Sequence, residues 1–294
     1  MDAETGLKLR QDIEPRNLHF GFDRSLPEYW HGGNPVISSY YDALSLTFPE
    51  GERFFIESVR NYAREIKDPA LKRNVRAFTT QEAIHSREHD SYNALLAERG
   101  LPVHKFDKMI KSVVRFARKH LPFRGQLAAT CGYEHFTALF AEHALSDPRV
   151  MKGAHPFYRD LWYWHAMEEE EHKAVAFDVY KAMNPGLRGY LVRCLAMVFV
   201  TLDFTSMSTF LPMWLLWHRG ELFNLKAWGK SFWYHWVAPG VWRHVVVGIP
   251  GYFCPWFHPS KRRVKPQVLA YREHYLATQN RTADMPGSIF GAAR

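Results

Sequence analysis

Trp164-His165-Ala166-Met167-Glu168-Glu169-Glu170-Glu171-His172 is the stretch on which the reading of this chain turns. His165, Glu169 and His172 stand at i, i+4 and i+7, so on an α-helix they share one face, and two imidazoles with a carboxylate in one row offer three donors to a metal. Tyr158 and Trp162 before the row, and Ala176, Val179 and Met183 after it, continue the same face as an apolar stripe until Asn184-Pro185-Gly186 ends the helix. A polar row inside an apolar stripe belongs in an interior. Glu168 falls near this stripe and competes with Glu169 as a donor, whereas Glu170 and Glu171 are expected to point into solvent.

Glu169-x-x-His172 is the Glu-x-x-His unit that dimetal-carboxylate bundles take from each of two helices, with a single Glu from each of two others. One copy means little. Glu82-Ala83-Ile84-His85 is a second, 87 residues earlier, and a single Glu precedes each unit: Glu52 lies 30 residues before Glu82, and Glu134 lies 35 before Glu169. Each sits on an apolar helical row. Glu52 is in phase with Phe55, Val59, Tyr62 and Ile66 in a period that starts at Glu50, whereas Glu57 shares a face with Arg60, Asn61 and Arg64, so Glu52 is the preferred donor. Lys67-Asp68-Pro69 separates this helix from the next. That second helix runs Leu71, Val75, Phe78, Glu82, His85, His89, Tyr92 and Leu96 and closes at Gly100-Leu101-Pro102. Burying its carboxylate and imidazoles costs several kcal/mol unless a cation or a Glu–His hydrogen bond compensates. His89, one turn beyond His85, is expected behind the donors. After a basic connecting helix within Lys105 to Arg124, the third row reads Leu127, Cys131, Glu134, Ala138, Ala141 and Leu145, with Cys131 a small core residue.

The 294 residues are 47% apolar, enough for a substantial core. Three scattered cysteines and no opening signal segment point to a reducing, cytoplasmic setting. From Asn184 onward there are 13 Lys/Arg against 4 Asp/Glu, so the net charge of +8 belongs to the C-terminal third, which also holds seven of the ten tryptophans. That pairing suits a membrane surface better than nucleic acid, for which no motif is present. Cys194 to Trp217 is apolar enough to raise a membrane span, but Asp203 near its centre and Pro212 weigh against one. Interfacial docking at the inner face of the membrane, packing on the bundle and a homodimer surface remain as readings. Residues 1–48, with Pro15, Pro27, Gly32, Gly33 and Pro35, read as an irregular arm in which His19 and His31 are not donors. Residues 49–186 read as the bundle, and 187–294 as an aromatic-rich helical extension packed on it.

The rows together resemble the ferritin-like dimetal-carboxylate superfamily, an all-α four-helix bundle. More narrowly, the strings Gly51-Glu52-Arg53-Phe54-Phe55, Gln81 to His85, Glu134-His135-Phe136-Thr137 and His165 to Asp178 resemble bacterial proteins labelled predicted metal-dependent hydrolases. His165-x-x-x-Glu169-x-x-His172 also resembles the motif of the diiron p-aminobenzoate N-oxygenase, in which one more histidine joins the usual six ligands. That resemblance implies the set Glu52, Glu82, His85, Glu134, His165, Glu169 and His172, as metal ligands and catalytic centre, around two iron ions, with manganese the alternative. It implies O₂ as co-substrate in an oxidation or oxygenation; with no nucleotide-binding or iron–sulfur motif in the chain the electron donor is expected to be external, and the aromatic-rich C-terminal wall suits a small apolar, lipid-like substrate. The competing expectations are a hydrolase that uses a water acidified by the metal, and a non-catalytic iron-handling protein.

Overall fold

Helix α1 (Pro35–Arg60) starts where local chemistry is ideal for it: the Asn34 side chain accepts from the backbone N–H of Val36 and Ile37, and Pro35 occupies the first turn, where its missing N–H costs nothing. The structure is a computed structural model that describes residues 13–262 and 265–277. The arm therefore ends at Asn34, and the expected boundary at residue 48 is corrected. Pro49 lies inside α1, where it removes the bond to the carbonyl of Ser45. Asn93, on the neighbouring helix, donates its Nδ2 to that carbonyl at 3.0 Å, so the backbone acceptor is satisfied and the helix runs on. Its end comes at Arg60, before Tyr62 and Ile66 of the expected stripe.

Helix α2 (Pro69–Glu98) has Asp68 as its cap and Pro69 in its first turn, and Gly100 closes it at φ +87°, a left-handed conformation that glycine adopts freely. Helices α3 (Val103–His120) and α4 (Phe123–Ser146) follow, then α5 (Pro156–His172). A turn at Lys173-Ala174 separates α5 from α6 (Val175–Met183), so the helix expected to run on to Met183 is broken directly after His172. Helices α1, α2, α4 and α5 carry the donor rows, with α1 against α2 and α4 against α5. Among the described residues there is no strand, and the architecture is all-α.

The arm packs Phe20 against Trp164 and stacks Phe22 on Tyr92. Helix α7 (Gly186–His218) lies across α4 and α1; α8 (Leu225–Phe232), α9 (Val241–Gly248) and α10 (Pro266–Ala277) complete the cover. Among the described residues α7 alone is long and apolar enough to cross a membrane. Its two charged side chains between Gly189 and Trp217 face inward. Buried Arg193 donates to the carbonyls of Tyr252 and Cys254 at 2.5 and 3.2 Å, and Asp203 accepts from the Tyr133 hydroxyl at 2.6 Å. The basic string at Ser260 to Arg262 is described, while Arg263 and residues 278–294 of the extension, like residues 1–12 of the arm, lie outside the described residues.

Candidate metal centre

The four rows meet. Glu52 from α1, Glu82 and His85 from α2, Glu134 from α4, and His165, Glu169 and His172 from α5 are all buried. Their donor atoms form overlapping sets that lie within 4.8 Å of one another: Glu52 with Glu82 and His85; His85 with His165 and Glu169; Glu82 with Glu169 and His172; and Glu52 with His89 and His165. Glu134 joins through His172, whose Nε2 lies 3.6 Å from its Oε2. Glu57, by contrast, is exposed and pairs with Arg118.

The hydrogen bonds on the far side of each imidazole fix which nitrogen faces the carboxylates. His85 sets Nε2 3.1 Å from the Glu168 carboxyl, which turns Nδ1 toward the cluster. His172 donates Nδ1–H to the Gln81 amide oxygen at 3.0 Å, because the Gln81 nitrogen donates to Glu171; Nε2 then faces Glu82, Glu134 and Glu169. At His165 the direction is set through a relay: the Ser45 hydroxyl donates to Asn93 Oδ1, His89 Nδ1–H donates to Ser45, and His165 Nδ1–H donates to His89 Nε2 at 2.9 Å. His165 Nε2 is left 3.0 Å from Glu169. Both nitrogens of His89 are thus engaged, which places it behind His165 as an orienting group.

Glu52 Oε1, both oxygens of Glu82 and Glu134, His85 Nδ1 and His172 Nε2 are buried without a hydrogen-bond partner, although His172 Nε2 and Glu82 Oε1 approach to 3.0 Å. Burial first, and neighbouring carboxylates second, push Glu52 up; burial likewise pushes up Glu82 and Glu134, which feel Glu169 beside them. Burial opposes protonation of His172, but Glu169 and Glu134 outweigh it and push that imidazole up. Divalent cations among these atoms would answer both the missing partners and the repulsion. Four carboxylates and three imidazoles without a thiolate are the oxygen and nitrogen donors that a divalent cation takes.

Around this set lies a second polar layer that the sequence reading did not assign. Arg16, from the arm, donates to Glu168 at 3.1 Å and to Glu171 at 2.8 and 2.9 Å, and Arg272 of α10 donates to Glu171 at 2.8 Å. Burial, only partly offset by Arg16, lifts Glu168 to about 8. Ser86 donates to Glu52 at 2.9 Å, and the Thr137 hydroxyl donates to Glu169. Lys173 pairs with Glu170 at 2.7 Å. Glu170 and Glu171 are therefore buried and do not point into solvent as expected; the arm and α10 cover the face that periodicity leaves open. Gln81 was legible as one polar residue out of place beside Glu82, whereas Arg16 lies in an irregular segment with no period to mark it.

An apolar cavity of about 700 Å³ between α1, α3, α4 and α7 ends at Glu52, His165 and Glu169. Phe48, Phe55, Ile110, Val114, Val200 and Phe204 are among its walls, and the Tyr133–Asp203 pair is a polar patch on them. The predicted metal-dependent hydrolase family matches residues 14–263, which span the arm, all four donor rows and α7. The chain belongs to that family. No curated protein and no solved structure matches it. In this member of the predicted metal-dependent hydrolases, the match and the buried His/Glu clusters agree on a metal-dependent protein.

Proposed function

We propose that this chain is a metal-dependent enzyme whose seven buried donors, Glu52, Glu82, His85, Glu134, His165, Glu169 and His172, hold two ions at the inner end of an apolar substrate cavity. The observation that carries the reading is the meeting of unpartnered buried donors with that cavity at Glu52, His165 and Glu169. Divalent ions there would supply Lewis acidity and an acidified water for hydrolysis, or, as iron, redox chemistry with O₂. Hydrolysis is the reading the family description favours.

The chain's own contribution is positioning. The apolar walls exclude water and receive a hydrocarbon chain, while Tyr133, held by Asp203, gives a polar group on the substrate one place to bind. Glu169 and His165 face both the cluster and the cavity; both His165 nitrogens are engaged, so a proton released on the cavity side passes first to the Glu169 carboxylate. Thr137 holds the Glu169 carboxylate in place, and the Ser45–His89 relay does the same for His165.

A second reading, O₂-dependent oxidation with an external electron donor, is favoured by the walls themselves: Thr47, Tyr133, Thr137 and Ser208 are their hydroxyls, which is sparse provision for a developing oxyanion. Elemental analysis of protein expressed with iron, manganese or zinc should give about two ions per chain, with iron or manganese preferred. Acyl-ester hydrolysis that rises with chain length and is independent of O₂ supports the first reading. Substrate-dependent O₂ consumption after chemical reduction supports the second. Metal-free protein whose melting is unmoved by added metal would sink both.

A further inference from the structure

Helix α7 inverts the usual arrangement of a surface helix. Between Gly189 and Trp217 its charges, Arg193 and Asp203, are turned into the protein, and apart from the exposed Arg188 at its start the outer stripe is apolar: Leu187, Leu191, Leu195 and Leu202 are 55% to 71% exposed. Phe210 and Trp217 carry the exposed apolar face toward the end of the helix. A face without charge from Leu191 to Trp217 is not the surface of a chain that meets only water.

The mouth of the 700 Å³ cavity opens beside it. Val113, Phe116 and Leu121, on and just after α3, and Leu195 and Phe199 of α7, both line the cavity and stand exposed, so these residues are its lip. The rest of α3 is basic. Lys105, Lys108, Arg115 and Lys119 are exposed and make no ion pair among the described residues, whereas Lys111 pairs with Asp107 and Arg118 with Glu57. An apolar stripe, an apolar lip and unpaired cations on the helix that forms the lip fit one partner chemistry: hydrocarbon under an anionic headgroup layer.

We infer that the outer face of α7 and the lip of α3 dock on an anionic lipid bilayer, with the cavity mouth against the hydrocarbon, so that an apolar substrate passes into the cavity from the bilayer without crossing water. The docking is peripheral. A span would have to take Arg193 and Asp203, together with the bundle that holds them, into the hydrocarbon. The delivery step rests on the reading of the cavity as a substrate site; the docking does not, because it is measured without turnover.

The full chain is floated with phosphatidylcholine vesicles with and without about one third phosphatidylglycerol, at low and high salt. Binding should require the anionic lipid, fall about tenfold or more in high salt, and be released by carbonate. Leu191→Glu with Leu202→Glu, two exposed positions that do not line the cavity, should abolish it with melting unchanged, and Lys108→Glu with Arg115→Glu and Lys119→Glu should weaken it about tenfold at low salt. Failure to bind any vesicle overturns the inference. So does carbonate-resistant binding, which would mean a span, or a dimer in sedimentation that Leu191→Glu with Leu202→Glu dissociates, which would mean that a second copy covers the face. Transfer of a fluorescent fatty acid from vesicles reads the cavity separately: Val113→Trp with Phe199→Trp should slow transfer severalfold while flotation persists. No transfer by a chain that floats normally would overturn the substrate cavity and leave the docking standing.

Discussion

Helices α5 and α7 are mirror cases. By composition α5, with four consecutive glutamates, belongs in water, yet Glu168 through Glu171 are all buried. By composition α7 belongs in an interior or a bilayer, yet Leu187, Leu191, Leu195 and Leu202 stand outside. The buried charges of α5 are answered by Arg16, Arg272, Lys173 and three imidazoles, with donors left over for a metal. Nothing within the described residues answers the exposed face of α7. Where composition and placement disagree, a missing partner is a physical explanation, and the partners proposed for the two helices are of two kinds: cations inside, an apolar phase outside.

The largest test breaks the inner half of this comparison. If the proposed centre is right, Glu82→Gln should lower metal content and reduce turnover by about 10³-fold, the effect of removing a metal ligand and not merely its support. If carboxylate repulsion is what the metal relieves, the same change should also stabilise the metal-free chain, by about 1–2 kcal/mol in chemical denaturation. A metal-free chain that loses stability instead would mean that Glu82 serves a Glu–His bond. Glu57→Ala, on the exposed face, should leave metal content at the wild-type level.

Arg16→Ala tests the second layer. It leaves Glu168 and Glu171 short of a buried cation and should cost about 3 kcal/mol, with metal affinity down about 10–100-fold. Unchanged metal affinity would detach the arm from the site.

A buried imidazole away from any carboxylate row sharpens the same point through pH. Burial lowers His31 to about 4, and its Nε2–H donates to the Val150 carbonyl. The unfolded chain, with an ordinary imidazole near 6.5, binds the proton first as pH falls, so His31 favours unfolding progressively from about pH 6.5 down to pH 4 and has no effect above that window. The limit is on the order of 3 kcal/mol. His31→Gln should flatten this acid limb in denaturation curves measured across the window; an unaltered limb would assign it to other groups.

The smallest effect belongs to the outer half. Leu202→Glu should change stability by no more than about 0.5 kcal/mol, because the side chain is already 61% exposed. Val200→Glu, buried two residues away, should cost several kcal/mol. Equal costs would mean that the outer face of α7 is covered.

Much of the site was legible because helical phase is local. Glu52 over Glu57, the two Glu-x-x-His units and Glu134 follow from periods read within single segments, and Asp68-Pro69 and Gly100 bound α2 by capping chemistry alone. What stayed illegible depends on partners far along the chain. The continuity of α1 across Pro49 is not legible because Asn93, which takes over the orphaned carbonyl of Ser45, is 44 residues beyond the proline. Glu170 and Glu171 read as solvated because the arm and α10 are not visible in their period. The turn after His172 has no glycine or proline to announce it.

Asn93 has a further consequence. Its amide nitrogen keeps α1 continuous across Pro49, and its amide oxygen accepts from the Ser45 hydroxyl, the last step in the chain of donations that begins at His165. One planar group thus welds secondary structure to protonation: its two ends are chemically distinct and cannot be exchanged without reversing both bonds. If α1 fractured at Pro49, Ser45 would be free to turn, and the imidazole two hydrogen bonds further along would lose its instruction about which nitrogen to present. Fluctuation in a helix backbone would then be heard inside the cluster as a change of tautomer.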